Sequence, residues 1–200
     1  MTSDFTELNE AYVWIWLPGE TEPVVAGRLA KGGDRLFFNY GARYRNRKNA
    51  IPIYEPELPL GAGLIEPPNG LSMASCIRDG SPDPWGRRVI INKLTGQKRA
   101  AGNVPDISEL TFLLQSGSDR IGALDFQASA TEYVPRLAME ASLDDLLAAA
   151  ERIEKCLPLT PALEKALEQG TSIGGARPKA MIVDGEKKFI TKFSARNDLY

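Results

Sequence analysis

Hydrophobic and polar positions along the chain fall into three regimes. The first is β-like. Ala11 to Leu17 (AYVWIWL) is an aromatic and β-branched run that Pro18-Gly19-Glu20 turns. Val24 to Ala30 and Arg35 to Tyr40 follow, separated by Gly32-Gly33-Asp34, a two-glycine turn suited to a hairpin. Together they predict a three-stranded antiparallel meander. Gly41 to Gly70 is rich in Pro and Gly, carries a basic run from Arg43 to Lys48, and is expected to be irregular and to wrap over the sheet.

The second regime is helical. Asp83-Pro84 ahead of Trp85 sets a cap and an N1 proline in order, with Gly96 a plausible stop after Val89, Ile90, Ile91 and Leu94. Asp106 to Glu109 has the spacing of a capping box before Leu110, Leu113 and Leu114. Gly117 to Gly122 breaks that helix, and Ala123 to Gln127 reads as a short strand. From Ser142, Leu143, Leu146, Leu147, Ala150 and Ile153 form one apolar stripe of helical period. Pro158 stops it, and Thr160-Pro161 starts a short helix that Gly170 closes. The third regime is β again: Ala180 to Val183 and Lys188 to Phe193 alternate around Asp184-Gly185, a strong hairpin signal.

Composition then narrows the chemistry. The 200 residues hold 24 Lys and Arg against 26 Asp and Glu, two Cys and no His. Without histidine, Ser-His-Asp and Cys-His catalysis, HExxH zinc sites and histidine switches are excluded within this chain. A formal net charge of −2 supplies no general basic field for nucleic acid. Cys76 and Cys156 are too few and too far apart for a disulfide framework or a CxxC site, which favours a reducing cytosol. No apolar run approaches the ~20 residues of a membrane span, and the acidic start MTSDFTELNE reads as neither signal nor transit peptide. The expectation is a folded cytoplasmic protein with no membrane contact and no resident metal.

Two segments carry candidate chemistry. In Ser172-Ile-Gly-Gly-Ala-Arg-Pro-Lys179, small residues allow backbone N–H groups close to phosphate oxygens, and Arg177 and Lys179 add positive charge. The same loop is also readable as a plain β-turn. It is neither a Walker A motif nor a GxGxxG loop. Lys192 lies one hairpin further on, in Phe189-Ile-Thr-Lys-Phe193. That order matches the way a kinase N-lobe sets an ammonium against ATP phosphates, although a strand lysine facing solvent has the same local pattern. Asp79 to Arg88 is better read as packing, and Ser116 to Gly122 as a polar turn rather than an anion nest.

Taken in order, these segments resemble the HipA family, the serine/threonine kinase toxins of bacterial type II toxin–antitoxin modules. Ser81-Pro-Asp-Pro-Trp-Gly-Arg-Arg88 is similar to the family's PDGWGRR segment, and Leu113-Leu-Gln-Ser-Gly-Ser-Asp-Arg-Ile-Gly-Ala123 to its LL…G.D..GA segment. Ser172 to Lys179 is similar to its Ser-x-small-Gly-Ala-x-x-Lys loop, and Thr191-Lys192 falls at its ATP-contacting lysine. The resemblance spans about Ala11 to Tyr200.

What the resemblance implies is an α+β fold. An N-terminal antiparallel sheet with packed helices would occupy 1–135, a helical connector 136–170, and the start of a kinase-like N-lobe 171–200. Gly174, Gly175, Ala176, Arg177, Pro178 and Lys179 would line the phosphates of ATP with Mg2+, Lys192 would contact them, and Ser172 matches the family's autophosphorylated serine. The implied partners are a HipB-like helix-turn-helix antitoxin, DNA only through it, and a protein substrate such as an aminoacyl-tRNA synthetase. The family's catalytic and metal-binding aspartates and the helical C-lobe have no counterpart up to Tyr200. The expectation is therefore an N-terminal portion, from a truncated gene or a fragment, that is inactive alone. A non-catalytic module docking on an antitoxin or a separate kinase lobe is the alternative.

Overall fold

The computed structural model describes residues 9–95, 106–120, 122–136, 143–155, 157, 159–160, 179–184 and 187–192. They form a mixed α/β protein with a four-stranded antiparallel sheet. In chain order the elements are β1 (Glu10–Ile15), β2 (Val24–Gly32), β3 (Arg35–Tyr40), α1 (Ala42–Arg45), α2 (Ser75–Asp79), α3 (Pro84–Thr95), α4 (Glu109–Gln115), β4 (Leu124–Gln127), α5 (Leu143–Glu154), β5 (Lys179–Asp184) and β6 (Lys187–Lys192). Two compact units divide them: residues 1–80 with 122–134, and residues 81–121 with 135–200.

In the first unit the strand order is β3-β2-β1-β4, so the expected meander gains a fourth strand on the far side of β1. Gly32 pairs with Arg35 across a two-residue turn, where Gly33 takes φ +63°. Alternation sorts the two faces. Ala11, Leu29 and Phe38 form one buried row, and Val13 stands between Gly27 and Phe126 in the next. The register slips between Val13 and Trp14, a bulge at which Val13 opposes Gly27 but Trp14 opposes Val25. On the opposite face Tyr12 and Arg28 both donate to the Glu10 carboxylate, at 3.0 Å each.

The segment expected to wrap over the sheet also pairs with the open edge of β3. Phe38 exchanges backbone hydrogen bonds with Ile65, and Leu36 N–H donates to Ser72 C=O. Pairing this edge removes a free ladder that would otherwise recruit another chain. The Tyr40 hydroxyl donates to Leu58 C=O and accepts from Ile53 N–H, both at 2.7 Å. The Tyr44 hydroxyl donates to Ile51 C=O at 2.8 Å, with its ring stacked on Tyr40 at 5.7 Å. Two aromatic residues thus bind the irregular segment to β3 and α1.

The second unit holds α3, α4, α5 and the β5–β6 hairpin. Asp83 caps α3 as expected, its Oδ1 accepting from Gly86 N–H at 2.7 Å. The cap of α4 falls two residues later than the DISE spacing implies. Ser108 is the N-cap and its Oγ accepts from Thr111 N–H at 3.2 Å, because Asp106 lies outside the helix start and Glu109 is engaged by Arg87. Of the expected apolar stripe of α5, Ile153 is buried and Leu147 is 46% exposed, and Ala149 is buried as well. Gly96, Ser142, Pro158 and the helix expected from 161 to 170 lie outside the described residues.

Candidate functional site

The β5–β6 hairpin forms where the Asp184-Gly185 signal set it, with Asp184 opposite Lys187. Its register decides which residues meet at the other end. Lys179, the first residue of β5, is the direct cross-strand partner of Lys192, the last residue of β6. Lys192 is exposed. Like charges at directly opposed positions destabilise an antiparallel pair. The two lysines singled out in the sequence are therefore brought together. Ser172, Gly174, Gly175, Ala176, Arg177 and Pro178 lie outside the described residues, as does Phe193. Phe189 and Ile190, neighbours on β6, are 48% and 49% exposed.

The segment 81–88 packs, as its composition suggests. Trp85 is fully buried. Arg87 reaches both oxygens of Glu109 at 2.6 Å, donates to Pro82 C=O and Ser81 Oγ, and lies 4.5 Å from the Phe112 ring centroid. One guanidinium thereby joins the start of α3 to α4. The turn after α4 is likewise filled from within. Arg120 donates to Leu113 C=O and Ser116 Oγ, and Arg136 Nε donates to Ser116 C=O at 2.9 Å. These contacts take up the Leu113 and Ser116 carbonyls at the C-terminal end of α4, as at a helix stop.

Two polar clusters escaped the sequence reading. On β4, Asp125 is fully buried and accepts from Gln127 Nε2 at 3.0 Å and from the Tyr133 hydroxyl at 3.1 Å. Tyr133 also meets the rings of Trp14 and Trp16, at 5.3 and 5.4 Å. Glu57 accepts from Ser75 N–H and Ser75 Oγ at the start of α2, and these bonds hold its carboxyl below the usual range. Beside it, burial and then the Glu57 charge push the Cys76 thiol up to about 11. Burial raises the Tyr40 phenol to about 12. Partners some twenty residues apart in sequence, as Glu57 and Ser75 are, leave no local pattern. Among the described residues no group of three or more His, Cys, Asp or Glu could hold a metal ion.

The family model of the HipA N-terminal domain matches residues 15–127, more than half of the chain. The chain belongs to this family. The match to the HipA N-terminal domain runs from the last residue of β1 to the end of β4 and takes in α1 to α4. It therefore covers both the Trp85–Arg87 and the Leu113–Gly122 segments, and the β5–β6 hairpin with its two lysines lies beyond it. No curated protein matches the chain. No helix among the described residues is long and apolar enough to cross a membrane.

Proposed function

We propose that this HipA-family chain is the N-terminal portion of a serine/threonine kinase toxin of the type II toxin–antitoxin kind, and that its loop 172–179 and Lys192 hold the phosphates of ATP. The observation that carries this reading is the register of β5–β6, which sets Lys179 directly opposite Lys192 at the end of the hairpin that the glycine loop enters. Two lysines at opposed strand positions, next in sequence to a loop of small residues, suit a polyphosphate. ATP with Mg2+ would supply the transferable phosphoryl group. This chain's own part is to bind and orient the phosphates with Gly174 to Lys179 and Lys192. Ser172 lies in the same loop, so its phosphorylation would bring like charges together and weaken nucleotide binding. In this setting a HipB-like helix-turn-helix antitoxin is the partner and a protein hydroxyl accepts the phosphate.

The test is nuclear magnetic resonance of the whole chain titrated with Mg-ATP. Shifts confined to 172–192, lost in Lys192→Ala and reduced in Ser172→Asp, are expected. Shifts that persist unchanged in Lys192→Ala would reduce that lysine to a strand-surface residue and remove the nucleotide site. The alternative, a non-catalytic docking module, is separated by supplying a kinase catalytic lobe in trans. Phosphoryl transfer that depends on Lys192 supports the kinase reading, and binding without transfer supports the module.

A further inference from the structure

We infer that the basic turn at residues 43–48 in the first unit is a binding surface for the phosphodiester backbone of a nucleic acid. From position 35 to position 54 the chain has no Asp or Glu, yet carries Arg35, Arg43, Arg45, Arg47 and Lys48. Two other arginines of this unit have a carboxylate, Arg28 with Glu10 at 3.0 Å and Arg35 with Glu66 at 3.3 Å. In the turn the pattern reverses. Among the described residues the side chains of Arg43, Arg45 and Lys48 make no ion pair or hydrogen bond, and the Arg47 side chain bonds only the neutral Asn49 amide at 3.3 Å. Glu20 accepts from Asn49 Nδ2 at 3.2 Å and meets none of these cations within 4 Å.

The platform beneath the charges is rigid. Tyr44 is buried, stacked on Tyr40 and bonded to Ile51 C=O, so α1 and the turn after it are held before any partner arrives. Arg43, Asn46, Arg47, Lys48 and Asn49 are all exposed on it. No large apolar side chain is exposed between 41 and 53; the first is Tyr54. Protein interfaces are built around an apolar or aromatic centre and are poor in Lys. Phosphate-backbone contacts need only cations and amides, which is what this surface offers. The net charge of −2 averages this turn with acidic surface elsewhere and hides it. The inference concerns the first unit alone and does not depend on the nucleotide loop.

Fluorescence anisotropy of the full chain against a labelled short duplex DNA, and against a single-stranded RNA of equal length, tests it. Binding to at least one at low salt is expected, with log K falling against log salt at a slope of about −3 for three to four phosphates. The two probes separate duplex from single strand as the source of the backbone. The triple variant Arg43→Ala, Arg47→Ala, Lys48→Ala, which spares the half-buried Arg45, should lose about tenfold or more in affinity and most of the slope. If its melting temperature shows that it fails to fold, the single variants carry the test, each removing about one unit of slope. Arg28→Ala should bind like the parent. No binding to either probe, binding unchanged in the triple or single variants, loss of binding in Arg28→Ala, or equal affinity for polyglutamate would each overturn the assignment.

Discussion

At the scale of single residues, close approach decides more than residue type. Gly27 sits in the bulge opposite Val13, where an added Cβ would lie 2.2 Å from the Asn39 carbonyl oxygen. That oxygen is backbone held in the β2–β3 ladder and has nowhere to go. Gly27→Ala should therefore cost about 1–3 kcal/mol through overpacking, read from chemical denaturation. Equal stability would mean that the bulge relaxes freely. Cys76 shows the converse, a reactive type silenced by its surroundings. Burial and Glu57 disfavour the thiolate, which needs a pH near 11 to form. Labelling of Cys76 by a disulfide reagent in the folded protein should be slow at neutral pH and accelerate only as the pH approaches that value. A fast reaction at pH 7 would contradict this burial.

At the scale of elements, joints between helices rest on a few polar side chains. Arg87 fixes α3 to α4 through a two-pronged bond to Glu109, two further acceptors and the Phe112 ring. Arg87→Ala should destabilise the protein by about 1–3 kcal/mol, since it strands the Glu109 carboxylate and removes charged hydrogen bonds. Arg87→Lys keeps the charge but not the fork, and should recover less than half of that loss. Denaturation midpoints of the two variants give the comparison, and a lysine variant as stable as the parent would leave charge alone as the determinant. The same pair explains why the α4 cap moved: with Glu109 held by Arg87, Ser108 supplies the oxygen for Thr111 N–H.

At the scale of the whole molecule, neither compact unit is a continuous stretch of chain. The first is left at residue 80 and completed by 122–134. The returning piece brings β4 to the edge of β1 and buries Phe126 and Asp125. Burying a side chain the size of phenylalanine is worth about 1.5–3 kcal/mol, and without β4 one side of β1 is an open ladder. A fragment of residues 1–80 should accordingly melt well below the full chain or associate. Adding a peptide of residues 122–134 should raise its melting temperature, followed by circular dichroism. A fragment that melts like the parent sheet would show that β4 is dispensable.

Local pattern determined much of this protein. Alternation and turn glycines located β1, β2, β3 and the β5–β6 hairpin, because a strand's faces and a two-residue turn are set by neighbours in sequence. Asp83-Pro84 located the start of α3 for the same reason. The motifs at 81–88 and 113–123 pointed to the HipA family because short ordered segments survive as sequence. Tertiary structure alone decided the placement of β4 beside β1, the edge pairing of Phe38 with Ile65 and the bonding of Glu57 to Ser75. It also decided which cations are paired: Arg35 and Arg43 look alike in the chain, and among the described residues only the fold brings Glu66 to one and no carboxylate to the other. Those outcomes depend on contacts between residues far apart in sequence, whose energies no local window contains.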